Sequence, residues 1–401
     1  MPALIVKPRA RIFHGHEWVY ATEVQRLTGN PQPGSVVELV SARNRPLGSA
    51  IYNPDSQIVA RRFSRRKQDL DADFFLRRIE RARDYRDGLG FPDPVYRLVW
   101  SEADGLPGVV IDRYGDHFVL QTLTLAMDQR KELISDAIEK LFSPQSIEER
   151  NDSPIRKAEG LPLQTGALRG GSPAPFEIVV AGIRQIVDLA GGQKTGIYLD
   201  QVDNYQSVAR RAQGRRVLEC FCNQGGFALH AAKAGATEVT AVDVSVGAVQ
   251  ATLANARLNQ LHQVRAVEAN VFDFLKDAET KHAAAAAESG DSAGIYDLIV
   301  LDPPSFTRNR KSVGDAMRGY KEIHLRALKL LARDGILATF CCSHHVSREE
   351  FLNVICEASV DAKRTLRLIE SHGQRLDHPV IATVPETEYL KGFTFQAIAG
   401  W

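Results

Sequence analysis

Cysteine is scarce in this chain of 401 residues, and the five present, Cys220, Cys222, Cys341, Cys342 and Cys356, include no C-x-x-C pair. An odd number without paired spacing argues against a disulfide framework and against a cysteine-ligated zinc site, so reduced thiols and no bound metal are expected. Long apolar runs are missing too, and no stretch is apolar enough to cross a bilayer. The opening Met1-Pro2-Ala3-Leu4-Ile5-Val6-Lys7 lacks the charged segment and apolar run of a secretory leader. A cytoplasmic protein without a membrane partner is therefore expected. Net charge is also nearly absent, at +1, and 44% hydrophobic with 25% charged residues is ordinary for a globular chain. The length exceeds what one core usually serves, so two or three domains are expected.

The small total charge hides an imbalance. Residues 1–67 carry eleven Lys and Arg against four Asp and Glu, a net +7 that leaves the rest of the chain at −6. A solvated basic face is one reading; a basic module for a polyanion is the reading favoured by its concentration in one small segment. RNA is the expected polyanion, with Arg9, Arg11, Arg61 and Arg62 as its contacts. Short β-type runs alternate with turns at 18–20, 34–40, 47–52 and 58–62, the pattern of a small β-barrel. Over 72–89 apolar residues recur at helical spacing until Gly90 and Pro92, so a helix opens a central α+β domain. A three-strand meander is expected over 96–123, loops over the Ser-, Pro- and Gly-rich 143–174, and a strand at 176–187.

From about residue 191 strands alternate with helices, which predicts a parallel sheet wrapped on both faces. Strands are expected at 216–221, 238–243, 264–268, 296–301 and 335–341, with helices starting near Gly226, Val246, Met317 and Ser347. The Ala-rich 283–290 reads as an insertion and 393–398 as an edge strand. The expected division is 1–68, 69–190 and 191–401.

Three segments of this last region carry chemistry. Arg216 to Phe227 is an apolar strand, a turn ending in Gly225 and Gly226, and the start of a helix. Asp243 closes the next strand, 24 residues after Glu219, where a carboxylate can accept from both hydroxyls of a ribose. The turn is not G-x-G-x-x-G; with an acid two residues before Phe221 it suits S-adenosylmethionine, which has no pyrophosphate to cradle. Asp297 to Phe306 is an apolar strand that delivers Asp302-Pro303-Pro304 at its carboxyl end, where open α/β sheets bind ligands. The two prolines fix the backbone and remove two N–H donors, leaving carbonyls to face a polar group on a base.

Ile336 to His345 is a further strand ending in polar residues, and it places Cys342 at the same edge. Pyrimidine C5 is a poor nucleophile until a thiolate adds to C6 and makes C5 enamine- or enolate-like, so Cys342 fits a covalent role. His344 and His345 are candidate helpers, but adjacent residues of an extended segment point opposite ways, so at most one faces the site. Cys220, Cys341 and Cys356 read as small core hydrophobes, and Cys222 as lining the cofactor.

With Gly192-Gln193-Lys194-Thr195-Gly196, the glycine turn, Asp302-Pro303-Pro304-Ser305-Phe306 and Cys342-Ser343-His344-His345, the chain resembles, over essentially its whole length, the bacterial large-subunit ribosomal RNA cytosine-C5 methyltransferases that begin with a PUA domain. The resemblance implies an α/β protein with a Rossmann-like class I methyltransferase domain after a PUA-like β-barrel and a central α+β domain. It implies S-adenosylmethionine as cofactor, large-subunit ribosomal RNA as partner, and leaves a homodimer open. Gln201 would lie at the methionine end of the cofactor. Glu219, Phe221, Cys222, Asn223, Gly225 and Phe227 would surround it, Asp243 and Val244 would meet the ribose, and Asn270 and Val271 the adenine. Asp302, Pro303 and Pro304 would hold the base, with Asp302 also beside the cofactor, and Cys342 would attack C6. Val202 and Tyr205 depart from arginines common in the family, and Ser305 or Pro304 stands where some RNA cytosine methyltransferases have a second cysteine. Two rivals remain: an amino-group methyltransferase using Asp-Pro-Pro alone, and a non-catalytic RNA-binding assembly factor.

Overall fold

The structure is a computed structural model that describes residues 2–191, 196–289, 294–307 and 312–398. The Gly192-Gln193-Lys194-Thr195 segment lies outside the described residues. The chain forms two compact units: Met1–Ile178, Val187–Leu199 and Leu376–Glu388 make the first, and Val179–Ile186, Asp200–Arg375 and Tyr389–Trp401 the second.

The first unit opens with β1 (Ala3–Val6), β2 (Trp18–Val19), β3 (Val24–Thr28), β4 (Val36–Ser41), β5 (Pro46–Tyr52) and β6 (Ala60–Ser64). They form one sheet in the order β2-β6-β5-β4-β1-β3, with β1 parallel to β4 and the other neighbours antiparallel. Alternation is clean in β4, where Val37 and Leu39 face a core with Leu4, Val6, Val19 and Ala50. Helix α1 (Ala72–Gly88) starts at Asp71, whose carboxylate accepts from the Phe74 amide at 2.8 Å, and it buries Phe74, Phe75 and Ile79.

The expected meander is present as β7 (Val95–Trp100), β8 (Val109–Tyr114) and β9 (His117–Thr122), followed by α2 (Leu125–Asp128) and α3 (Lys131–Phe142). Residues 143–174 are not all loops. They contain β10 (Ser146–Asn151) and β11 (Gln164–Arg169), which extend the sheet to β11-β10-β9-β8-β7. All six residues of β10 are buried although Glu148, Glu149, Arg150 and Asn151 are polar. Partners inside the unit make this possible: Lys131 pairs with Glu149 at 3.0 Å, Arg150 donates to the Leu189 carbonyl at 2.8 Å, and the Asn151 amide donates to Thr122 Oγ1 at 2.9 Å. A buried strand with four polar residues in succession leaves no apolar periodicity to read.

The single strand expected at 176–187 is a hairpin, β12 (Phe176–Val180) and β13 (Ile183–Val187). Its two-residue turn, Ala181 at φ +49° and Gly182 at φ +76°, has the left-handed pair that matches strand twist.

The second unit holds α4 (Val202–Ala209), β14 (Arg216–Cys220), α5 (Gly226–Lys233), β15 (Glu238–Asp243), α6 (Val246–Leu258), β16 (Val264–Glu268), α7 (Val271–Ser289), β17 (Tyr296–Leu301), α8 (Val313–Leu330), β18 (Leu331–Cys341), α9 (Arg348–Asp361), β19 (Thr365–His372) and β20 (Lys391–Ile398). The sheet order is β16-β15-β14-β17-β18-β20-β19, parallel from β16 to β18, with β20 antiparallel to both neighbours. All five expected parallel strands are present. The run 393–398 is not an edge, because β19 pairs outside it. The Ala-rich segment forms the end of α7 through Ser289, alanine being a strong helix former.

In the first unit the Asp112 carboxylate, fully buried, accepts two bonds from Arg97, at 2.7 and 2.9 Å. Removing the carboxylate leaves a nearly buried guanidinium uncompensated. Asp112→Ala is therefore expected to lower unfolding free energy by about 3–5 kcal/mol, read as an earlier urea midpoint; an unchanged midpoint would refute the pair's structural role.

Candidate active site at the carboxyl edge of the second sheet

The strand order turns at β14: β15 and β16 lie to one side of it, β17 and β18 to the other. Ligands of open α/β sheets bind where the order divides, outside the carboxyl ends. Four parallel strands deliver chemistry there. β14 runs into Phe221, β15 ends on Asp243, β17 is followed by Asp302-Pro303-Pro304 and β18 by Cys342.

The segment after β14 is held in unusual backbone conformations. Phe221 has φ +64°, Asn223 φ +47° and Gly225 φ +79°. Left-handed φ in a bulky aromatic is costly and persists only where the surroundings enforce it. Two carboxylates do so. Asp243 accepts from the Asn223 amide and from the Ser245 amide, both at 2.9 Å. Glu219, 2% exposed, accepts from the first-turn amides of α5, Phe227 at 3.1 Å and Ala228 at 2.8 Å. Burial pushes the Glu219 carboxyl up to about 8 against the pull of those two donors, and the charges of Asp302 and Asp243 add to the rise.

Both glycines answer to the protein's own packing. A Cβ on Gly226 would stand 2.4 Å from the Tyr205 ring, and one on Gly225 would stand 2.7 Å from Thr252. Tyr205, which stands where relatives of the resembled family commonly have arginine, wedges edge-on against Phe227 at 4.6 Å between ring centres. Phe227 is itself buried and stacks on Phe340 at 5.0 Å. It meets the turn through its backbone, not its ring.

The remaining cofactor candidates divide by where their side chains go. Gln201 is buried and donates to Asp302 Oδ2 at 2.9 Å while accepting from Asn204 at 2.7 Å, which ties the start of α4 to the Asp-Pro-Pro segment. Val244 is 69% exposed beside Asp243 and offers an apolar surface at the rim. Exposed Asn270 accepts from the Phe272 amide at 2.9 Å at the start of α7. The Val271 side chain belongs to the core, so only its backbone is available. Cys222 is buried with its sulfur 3.7 Å from Thr252 Oγ1, and burial drives its thiol pKa up.

The adjacent cysteines point apart, as alternation requires. Cys341 is fully buried, its sulfur 3.3 Å from the Tyr320 hydroxyl. Cys342 is half-buried, and its thiol lies 4.0 Å from the Pro303 carbonyl. Cys356, read as a core residue, is exposed on α9. Hydroxyl groups cluster beside Cys342: Ser343 Oγ is 2.8 Å from Ser305 Oγ and 3.2 Å from the Tyr320 hydroxyl. Lys391, 6% exposed, donates to the Ser343 carbonyl at 2.7 Å. This bond ties β20 to the residue that follows Cys342 and fixes the backbone there. His344 and His345 are both exposed, His344 with its ring 5.6 Å from Tyr389. Lys391 was invisible in sequence because β20 is distant in the chain and meets β18 only through strand pairing.

Of the four arginines read as RNA contacts, Arg9 and Arg11 are exposed. Arg62 is buried, held by Glu17 at 2.5 Å and the carbonyls of Leu47 and His16 at 3.3 Å each. Arg61 lies over the Trp18 ring at 4.9 Å and pairs with Glu102 at 2.8 Å. These two guanidiniums are committed within the first unit, which removes Arg62 as an open contact. Among the described residues no group of His, Cys, Asp and Glu could hold a metal, and no helix is long and apolar enough to cross a membrane.

The carboxylate at the end of β15, the constrained turn after β14 and the apolar rim at Val244 suit an adenosyl group bearing a sulfonium. The profile of the S-adenosylmethionine-dependent methyltransferases matches residues 162–388, and a PUA-like domain matches residues 4–65. The chain belongs to this family of S-adenosylmethionine-dependent methyltransferases, and S-adenosylmethionine is its cofactor. Within it, the chain is 38% identical to ribosomal RNA large subunit methyltransferase I of Erwinia tasmaniensis over 98% of its own length and 99% of that protein's. It is 39% identical to the protein of the same name from Tolumonas auensis over 96% of each. The crystal structure of SMU.776 complexed with SAH superposes at TM-score 0.83 with 25% identity, covering 99% of this chain and 100% of that one.

Glu219 makes stability depend on pH in a defined sense. Below about 4.5, its ordinary value, the carboxyl is protonated folded or unfolded; from there to about 8 only the unfolded chain ionises it, so folding weakens as pH rises through that window. The urea midpoint of Glu219→Gln is expected to gain on that of the native protein between pH 5 and pH 8.5. A constant gap between the two would refute the assignment.

Proposed function

We propose that the protein methylates large-subunit ribosomal RNA, forming 5-methylcytosine through a covalent adduct of Cys342 with C6 of the base, in the cytoplasm. The ribosomal RNA assignment is supported by the names of relatives that match this chain nearly end to end. The covalent step is supported chiefly by one juxtaposition: a half-buried thiol 4.0 Å from the Pro303 carbonyl, at the sheet edge where Asp243 and the constrained turn stand.

Bound S-adenosylmethionine supplies an electrophilic methyl group at this edge. Cys342 adds as thiolate to C6, which raises electron density at C5 for methyl capture. A base takes the C5 proton, the C6–S bond breaks to restore the double bond, and Cys342 is released. Pro303 and Pro304 present carbonyls without competing N–H donors, a pattern that accepts from the exocyclic amine of cytosine. Gln201 holds Asp302 in place for the same base. A base stacked in a helix cannot offer C6 to a thiol and C5 to a methyl group together, so the target is flipped or single-stranded.

Labelled cofactor and large-subunit ribosomal RNA, followed by nucleoside analysis, test this reading. Cys342→Ala is expected to lower transfer on the order of 10³-fold or more, with 5-methylcytosine as the native protein's product. RNA containing 5-fluorocytosine is expected to give a stable protein–RNA adduct with the native protein and none with the variant, because fluorine cannot leave as the C5 proton does. Full activity of Cys342→Ala with a methylated amino group as product would establish the amino-group reading instead. No transfer to naked or assembled RNA would favour a binding factor.

A further inference from the structure

We propose that a groove between the exit of β6 and the first turns of α1 binds the phosphodiester backbone of RNA, independently of base sequence. The proposal rests on the RNA reading above and adds a site distinct from Arg9, Arg11, Arg61 and Arg62. The groove has a volume of about 450 Å³ and is lined by five arginines, Arg65 and Arg66 from the strand exit and Arg77, Arg78 and Arg81 from the helix. Spacings of three and four residues bring the helical set onto one side of α1.

The local charge is poorly balanced. Arg65 reaches Glu17 and Arg77 reaches Asp73, both at 3.3 Å, but these arginine side chains are 69% and 57% exposed, where ion pairs are weak. Arg66, Arg78 and Arg81 have no carboxylate partner among the described residues. Arg78 is half-buried, donates to the Phe63 carbonyl at 2.9 Å and lies over the Phe74 ring at 5.3 Å. Burial, then the charges of Arg81 and Arg77, lower its pKa, which marks repulsion that an anion entering the groove would relieve. Guanidinium forks bind phosphate oxygens in pairs, so five around one groove suit a run of phosphates.

The aromatic at the base of the groove decides between backbone and bases. Phe74 is 2% exposed and packed edge-on against Phe63 at 5.2 Å and Phe75 at 5.4 Å. It offers no open face on which a base could stack, so the groove reads charge. None of the large exposed apolar side chains is among the lining residues, which separates the groove from membrane-surface sites that anchor through such groups.

The test uses the full chain and a large-subunit ribosomal RNA fragment, with binding measured across a salt series. The triple variant Arg66→Ala, Arg77→Ala, Arg81→Ala changes exposed side chains only, and its melting temperature and cofactor affinity should match the native protein's. Its log K against log salt should be shallower by about 2–3, and KM for RNA should rise at least tenfold with the product unchanged. Unchanged affinity and salt slope would overturn the groove while leaving methyl transfer intact. Loss of RNA binding in the variant, with no methyl transfer by the native protein, would sustain the groove and sink the catalytic reading. Vesicles of anionic phospholipid that bind the native protein and not the variant, with RNA binding equal in both, would also overturn it.

Discussion

The interaction on which the carboxyl edge of the second sheet depends is the grip of Glu219 on the first turn of α5. The turn between β14 and α5 places Phe221 and Asn223 at positive φ, conformations that cost energy and would relax if either end were free. One end is fixed by the ladder of β14 with β15 and β17. The other is fixed by the Glu219 carboxyl group at 3.1 and 2.8 Å from two helical amides. Because Glu219 is buried, those bonds have no competing water, and the anchoring is as firm as the core around it. Asp243 then clamps the middle of the turn through Asn223. A carboxylate that held the turn from solvent would leave the cofactor surface to fluctuate.

Aromatic packing behind the turn completes the constraint. Tyr205, Phe227 and Phe340 form a contiguous wedge with separations of 4.6 and 5.0 Å. The wedge needs Gly226, since any side chain there would enter the Tyr205 ring. β18 supplies Phe340 to this wedge and Cys341 to the core, and its exit carries Cys342 to the edge. The turn after β14 and the Cys342 thiol are thus positioned by one body of packed side chains, which holds them at a fixed separation.

Much of this second unit was legible because parallel strands covered on both faces read as apolar runs. The runs around Leu218, Val242, Ile299 and Leu337 identified themselves, and the acids and the cysteine at their ends followed. What escaped the sequence had partners far along the chain. β10 is buried with four polar residues in succession, and nothing local to Glu149 announces Lys131. Lys391 reaches the Ser343 carbonyl only because β20 inserts between β18 and β19. Cys356 failed in the opposite sense: cysteine's general tendency to be buried did not predict its place on the outer face of α9.

Arginine shows most clearly why composition underdetermines function. The basic bias of residues 1–67 suggested one RNA surface, yet guanidiniums in the first unit serve two purposes. Arg62 with Glu17, Arg86 with Asp104, Arg97 with Asp112 and Arg156 with Asp128 are ion pairs whose arginine side chains are at most 13% exposed. Each contributes little field outside, because a carboxylate at hydrogen-bonding distance cancels it, and Arg62 does so from within the basic segment itself. Arg66 and Arg81 are exposed and lack such partners among the described residues, so their field reaches solvent. Field outside the protein is therefore set by the arginines left without carboxylates, and Arg66, Arg78 and Arg81 are three of these brought together where β6 hands over to α1, across the boundary expected near residue 68.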